Sequence, residues 1–281
     1  DSVHEGSGAD FNSIVSLGLV RNTFELAADM SKSLGVDAGR QEKWRHILKN
    51  LSGFATQEKD GVTVFRYTEK GTAWWGGNTL GIQHIYPAGA IGLDSDPKLL
   101  EVSRNTIRVM SRWFDGNGMN SFYAAAVRAG YDPEIILQKL REMIEKVGDT
   151  NGFTRGNVHG VENCSIVPNA INEMLCMGHQ NVLRVFPVWP KDKNARFMSI
   201  RVWGAFLVSG ELKGGKVLYV KIHSEKGRDC TLVNPWQQQE VDVYLAGKKV
   251  ETLKGDRFVM KTKAGQTVVL GPAGGRCPIS E

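Results

Sequence analysis

Cysteine occurs only four times in this 281-residue chain, at Cys164, Cys176, Cys230 and Cys277. That is too few, and too scattered, for a disulfide scaffold or a zinc site. With residues 167–178 as one helix, Cys164 and Cys176 lie at its opposite ends, roughly 18 Å apart at 1.5 Å per residue. That is beyond disulfide reach, which leaves Cys230 with Cys277 as the plausible bridge; an oxidising compartment is permitted. No run of about 18 apolar residues occurs, so no membrane span is expected. Charge of one sign never gathers: 35 Lys and Arg against 30 Asp and Glu leave +5 without blocks or stripes, which argues against a nucleic-acid partner. No P-loop, dinucleotide fingerprint or serine elbow is present. Low-complexity segments are missing too, and 41% hydrophobic with 23% charged residues is a globular composition. The chain opens Asp1-Ser2-Val3 without a Met or the apolar stretch of a signal peptide, and this reads as a processed end.

What is present divides by period. Up to about residue 180 the apolar spacing is helical. Leu19, Val20, Phe24, Ala27, Ala28 and Leu34 form one stripe with Gly35 as a stop, and Trp44, Ile47, Leu48 and Leu51 form a second. Asp96-Pro97 and Asp132-Pro133 each pair a cap with a first-turn proline. The first opens a helix through Trp113, the second one through Ile144. Residues 120–129 and the segment around Ile171, Met174 and Leu175 complete the helical part. After Pro187 and Pro190 the period becomes two, with Ile200, Val202, Leu218, Val220, Ile222, Val241, Val243, Phe258, Met260 and Val268 on short strands between glycine turns. Strands of that length and spacing predict a small sandwich.

An insertion at 60–92 interrupts the helices. Val62 to Tyr67 read as a strand, followed by Trp74-Trp75-Gly76-Gly77-Asn78 and Gln83-His84-Ile85-Tyr86-Pro87. A loop this long is functional or disordered, and its aromatics argue against disorder. The tandem indoles beside Asn78 resemble a sugar platform, or else pin the loop to the core. A second candidate is His159-Gly160-Val161-Glu162-Asn163-Cys164, at the entrance to the last helix. There Glu162 either acts in catalysis or complements the positive helix N-terminus. His4-Glu5 and Asp10-Phe11-Asn12 form a polar cluster before the first helix, expected to be a solvated terminus. Asp115-Gly116-Asn117-Gly118 lacks the ligand alternation of a calcium loop and reads as a turn.

Three ordered runs carry a family resemblance. Asn172-Glu173-Met174-Leu175-Cys176-Met177-Gly178-His179, then Leu183-Arg184-Val185-Phe186-Pro187-Val188-Trp189-Pro190, then Ile200-Arg201-Val202-Trp203-Gly204-Ala205-Phe206 resemble the "EMLLQSH", "LLPALP" and "GLRARGGF" segments of glycoside hydrolase family 95. Ile85-Tyr86-Pro87-Ala88-Gly89 is similar to its "LYPG". The family holds inverting α-L-fucosidases and α-L-galactosidases on an (α/α)6 toroid. The resemblance therefore implies part of such a toroid, built of helical hairpins over residues 1–190, followed by a small antiparallel β-sandwich accessory domain over 191–281.

It also implies site residues. The family's catalytic Asp lies eleven residues before the Glu of its "EML" motif, and eleven residues before Glu173 stands Glu162, followed by Asn163. Glu162 is thus the expected base and Glu5, at a place comparable to the family's "SPEN", the expected acid. Inverting catalysis needs the two carboxyls roughly 6.5–9.5 Å apart. Trp74, Trp75, Asn78, His84 and His159 are the candidate substrate contacts. The family's "HRHLSH" is absent: its histidine places fall on Gly76, Asn78 and Gly81, with His84 nearby. That departure favours an alternative, a non-catalytic carbohydrate-binding protein with the same fold. No metal or organic cofactor is implied. The expected partners are an oligosaccharide or polysaccharide, and the N-terminal remainder of the catalytic domain or a second copy covering exposed helix faces. The expected location is periplasmic or extracellular. About six helices are half of a toroid, so the chain alone is expected to be inactive.

Overall fold

The computed structural model describes residues 3–4, 8–115, 119–152, 154–155, 161–237 and 239–279, with backbone alone at 119–120 and 161–162. Two compact units are present: Asp1–Tyr131 with Ile135–Ala170, and Asp132–Glu134 with Ile171–Glu281. Among the described residues, helices come first and an antiparallel sheet follows.

The helical order begins with β1 (Phe11–Ser13), α1 (Ile14–Leu34) and α2 (Gln41–Asn50). Ser13 caps α1 by accepting the Ser16 N–H at 3.3 Å, and Gly35 closes it in the left-handed region at φ 68°. The insertion contains β2 (Thr56–Lys59), β3 (Val62–Phe65), β4 (Thr68–Lys70) and a 3-10 turn at Leu80–Ile82. β1 pairs antiparallel with β4, and β2 with β3. Next come α3 (Pro97–Met110), α4 (Met119–Arg128) and α5 (Pro133–Val147). The Asp96 carboxylate accepts the Lys98 N–H and that of Asp132 the Glu134 N–H, both at 2.8 Å, so each cap works as its Asp-Pro pair predicts. α3 stops short of Trp113, because Ser111 takes a left-handed conformation. Trp113 is nonetheless buried, edge-on to Phe122 at 4.8 Å. A 3-10 turn at Val161–Ser165 leads into α6 (Ile166–Leu175).

Tyr67, Tyr123, Phe65, Phe122, Ile82 and Ile107 are fully buried in the first unit. Thr106 on α3 accepts the Phe65 N–H at 2.9 Å, which fixes the inserted hairpin to that helix. Along α1 the burial is confined to Ile14, Leu17, Gly18 and Ser31, while Leu26, Met30 and Leu34 are exposed. No described helix is long and apolar enough to cross a membrane.

The second unit carries the short pair β5 (Cys176–Met177) and β6 (Arg184–Val185), then β7 (Ala195–Val202), β8 (Phe206–Lys213), β9 (Lys216–Ser224), β10 (Cys230–Val233), β11 (Val241–Leu245), β12 (Lys248–Leu253), β13 (Arg257–Met260) and β14 (Gln266–Pro272). Six of them form one antiparallel sheet in the order β12-β11-β14-β9-β8-β7, and β10 pairs with β13. On β8 the buried residues alternate, Phe206, Val208, Gly210 and Leu212, so one face meets the core. Leu232 and Phe258 from the two-stranded sheet share that core with Val208, Val220 and Leu270.

One expectation for this unit needs correction. All four cysteines are free: Cys230 is buried in the sheet core, and the Cys277 thiol donates to the Ile279 carbonyl at 3.2 Å. Burial pushes the Cys230 thiol up to about 12, so it is an inert apolar group. Arg201 pairs with Glu225, Trp203 is 49% exposed, and the ring that meets Phe186, at 5.3 Å, is Phe197.

Candidate functional site

The inserted loop over residues 71–79 is held at both ends by long-range hydrogen bonds. At its start the buried Asp10 carboxylate accepts the Val3 N–H at 2.9 Å and the Thr72 N–H at 2.8 Å. Gly71, at φ +105°, passes so close that an added Cβ would lie 2.3 Å from Asp10 Oδ1. The polar cluster expected to be a solvated terminus is therefore an anchor, with Asn12 donating to Ser52 and Glu69. Next the Ala73 carbonyl accepts from the Tyr67 N–H and from Gln57 Nε2, both at 3.0 Å.

The two indoles follow, both half-buried. Trp74 packs at 5.4 Å from the Tyr67 ring, with the Lys59 ammonium 5.3 Å from its own ring centre. Trp75 meets His4 edge-on at 4.4 Å, and its carbonyl accepts the Tyr67 hydroxyl at 3.0 Å. Burial, the largest influence, pushes the Tyr67 phenol well above its ordinary range, so it stays a neutral donor.

At the far end Arg112 donates to the Gly77 carbonyl at 2.9 Å. The same guanidinium meets the buried Asp115 through Nε at 3.0 Å and Nη2 at 2.8 Å. Asn78 Oδ1 accepts the Leu80 N–H at 2.9 Å and opens the 3-10 turn. Its Nδ2 is buried without a hydrogen-bond partner among the described residues. The amide's acceptor is thus spent on the backbone and its donor is left over.

His84 sits differently from a ligand contact. It is fully buried, 4.4 Å from Phe65 and 4.6 Å from Phe54 between ring centres, and neither ring nitrogen has a hydrogen-bond partner among the described residues. Burial lowers its pKa to about 3, so the imidazole is neutral. Trp74, Trp75 and Asn78 are brought together; His84 lies in the core beneath. Glu5 and His159 lie outside the described residues, and for Glu162 the backbone alone is described. That backbone belongs to the 3-10 turn before α6, where the Asn163 side chain is buried.

Sequence reasoning passed over Arg112 and Lys59, placed Tyr67 only on a strand, and read Asp115 as part of a turn and Asp10 as part of a solvated terminus. Two of these left a local trace: Arg112 and Asp115 have the i,i+3 spacing of an ion pair, and Lys59 is two residues from Gln57 on one strand face. Half-buried aromatics and a fixed guanidinium suit a polyhydroxylated ligand, whereas the buried Asn78 Nδ2 is out of a ligand's reach. Asp115 is held by Arg112 through two of the guanidinium nitrogens. No group of three His, Cys, Asp or Glu among the described residues is arranged to hold a metal ion.

No protein-family model and no curated protein matches the chain. Among solved structures there is a weak similarity to Ara127N-Se, a GH127 beta-L-arabinofuranosidase from Geobacillus stearothermophilus T6. Its TM-score is 0.26 at 14% identity, over 96% of this chain and 43% of that one. The chain thus spans less than half the length of that protein.

Proposed function

We propose that the chain is part of an inverting glycoside hydrolase, acting on a glycan that contains α-L-fucose, α-L-galactose or a related sugar, with Glu162 as the base and Glu5 as the acid. The observation that carries this reading is the place of Glu162 and Asn163, in the turn Val161–Ser165 at the entrance to α6 and eleven residues before Glu173. That turn packs on α4 within the same unit, which gives a carboxylate the supported backbone that catalysis needs. The ordered sequence runs and the succession of helices and antiparallel sheet support the same assignment, with the helices forming part of an (α/α)6 toroid.

In the reaction the acid protonates the leaving oxygen while the base draws a proton from water on the opposite face of the sugar. In the full-length protein, Glu162→Gln should lower turnover by about 10²-fold or more and leave the melting temperature in place. Wild-type turnover in that variant removes Glu162 from the mechanism. A second reading, carbohydrate binding without hydrolysis, is favoured by the burial of His84, which offers no ring to a ligand. Glycan-array binding without release of reducing sugar would select it.

A further inference from the structure

Resting on the glycan-binding reading, the geometry points to a narrower ligand class: we infer that the 71–79 loop receives a saccharide bearing an anionic group, a carboxylate or a sulfate ester. The argument starts from the strand beneath the loop. On β2, Gln57 and Lys59 share the face that meets the loop, Gln57 through the Ala73 carbonyl and Lys59 through the Trp74 ring. The intervening Glu58 takes the opposite face, where it accepts the Thr63 hydroxyl at 2.5 Å. Alternation along the strand thus places a cation at the indole and keeps the neighbouring carboxylate away from it.

Lys59 forms no ion pair among the described residues, and its ammonium has the Trp74 ring as its contact. Arg66, at the foot of the loop, donates to the Thr68 and Gly71 carbonyls, each at 2.9 Å. Arg112 stands at the other end with Nε and Nη2 engaged by Asp115 and Gly77, and with Nη1 making no hydrogen bond to a described residue. The two carboxylates that bond the loop and Arg112 are buried and occupied, Asp10 on Val3 and Thr72, Asp115 on Arg112, while Glu69 at the foot of the loop is exposed and accepts from Asn12. Lys59 and Arg66 thus place positive charge beside the indole pair, held by a ring and by carbonyls, and Arg112 adds a guanidinium held by Asp115 and the Gly77 carbonyl. Neutral sugars ask only for aromatic faces and amides. An unpaired ammonium on an indole and a pre-oriented guanidinium fit a negative substituent.

The test uses tryptophan fluorescence and calorimetry on the whole chain with oligogalacturonides, glucuronate-bearing xylan oligosaccharides and sulfated galactose oligosaccharides. Each is compared with its carboxyl-reduced or desulfated counterpart. The anionic member of at least one pair should bind more tightly than its neutral partner, with an affinity that falls as salt rises. Lys59→Met, which keeps the apolar stem, should weaken that anionic ligand roughly fivefold, the worth of a partly exposed ion pair. Its effect on the matched neutral ligand should be smaller than on the anionic one; an equal loss for both overturns the inference. Equal binding of charged and neutral members overturns the inference and leaves the glycosidase reading in place. Binding by no saccharide overturns the inference, while Glu162-dependent turnover in the full-length protein would still decide the reading it rests on. A preference for the carboxylate or the sulfate pair identifies the group.

Discussion

Gly18 on α1 faces the backbone of His84: a Cβ added to Gly18 would lie 2.8 Å from both the Cα and the Cβ of His84, and 3.0 Å from the Ala88 methyl. The contact sets how closely the first helix approaches the inserted segment. Gly18→Ala would gain about 0.8–1 kcal/mol in helix propensity. It should lose more, because overpacking a filled site costs about 1–3 kcal/mol. Urea denaturation should show net destabilisation; a more stable variant would mean the close approach is not real.

His84 should make the first unit acid-sensitive. Its pKa is lowered from 6.5 to about 3 in the folded chain, so below pH 6.5 the unfolded state binds a proton that the folded state refuses. Its contribution is therefore fully present above 6.5 and lost as pH falls toward 3, with a slope approaching 1.4 kcal/mol, roughly, per pH unit. His84→Leu should flatten that slope in denaturation curves between pH 4 and 6.5. An unchanged slope would assign the acid sensitivity elsewhere.

Asp10 ties the N-terminal segment to the loop through two backbone donors. Asp10→Ala strips both donors of a charged acceptor, at a cost of about 1.5–3 kcal/mol. Hydrogen exchange should show the Thr72 amide losing protection before the amides of α3 do. Uniform protection in the variant would contradict an anchoring role.

In the sheet unit Asp242 accepts the Thr252 hydroxyl at 2.7 Å, the Lys249 ammonium at 2.6 Å and the Gly274 N–H at 3.0 Å. Those bonds, with Lys249 foremost, lower its pKa from 3.8 to about 2. The stability they supply is present above pH 3.8 and lost as pH falls toward 2. Asp242→Asn should lower the melting temperature at pH 7 and narrow the gap to wild type at pH 2. A constant gap would separate the carboxylate's charge from its role.

Much of the scaffold was legible because its determinants are local. Asp96-Pro97 and Asp132-Pro133 start helices through bonds two residues away, and Val220 with Ile222 on β9 and Phe258 with Met260 on β13 alternate because one sheet face is buried. The strands the pattern omits are those it cannot mark. β12 is exposed along nearly its whole length, and β4 and β10 are three and four residues long.

The sequence by itself determined the change from helical to strand period, the helix caps and the positions of the two candidate motifs. Only the tertiary structure decided which polar residues are buried. Asp10 meets Thr72 across 62 positions, Phe65 meets Thr106 across 41, and His84 is enclosed by Phe54 and Phe65. Caps and periods report on the next turn of chain. Desolvation of a side chain depends on segments that arrive from elsewhere, and no spacing rule within one segment encodes them.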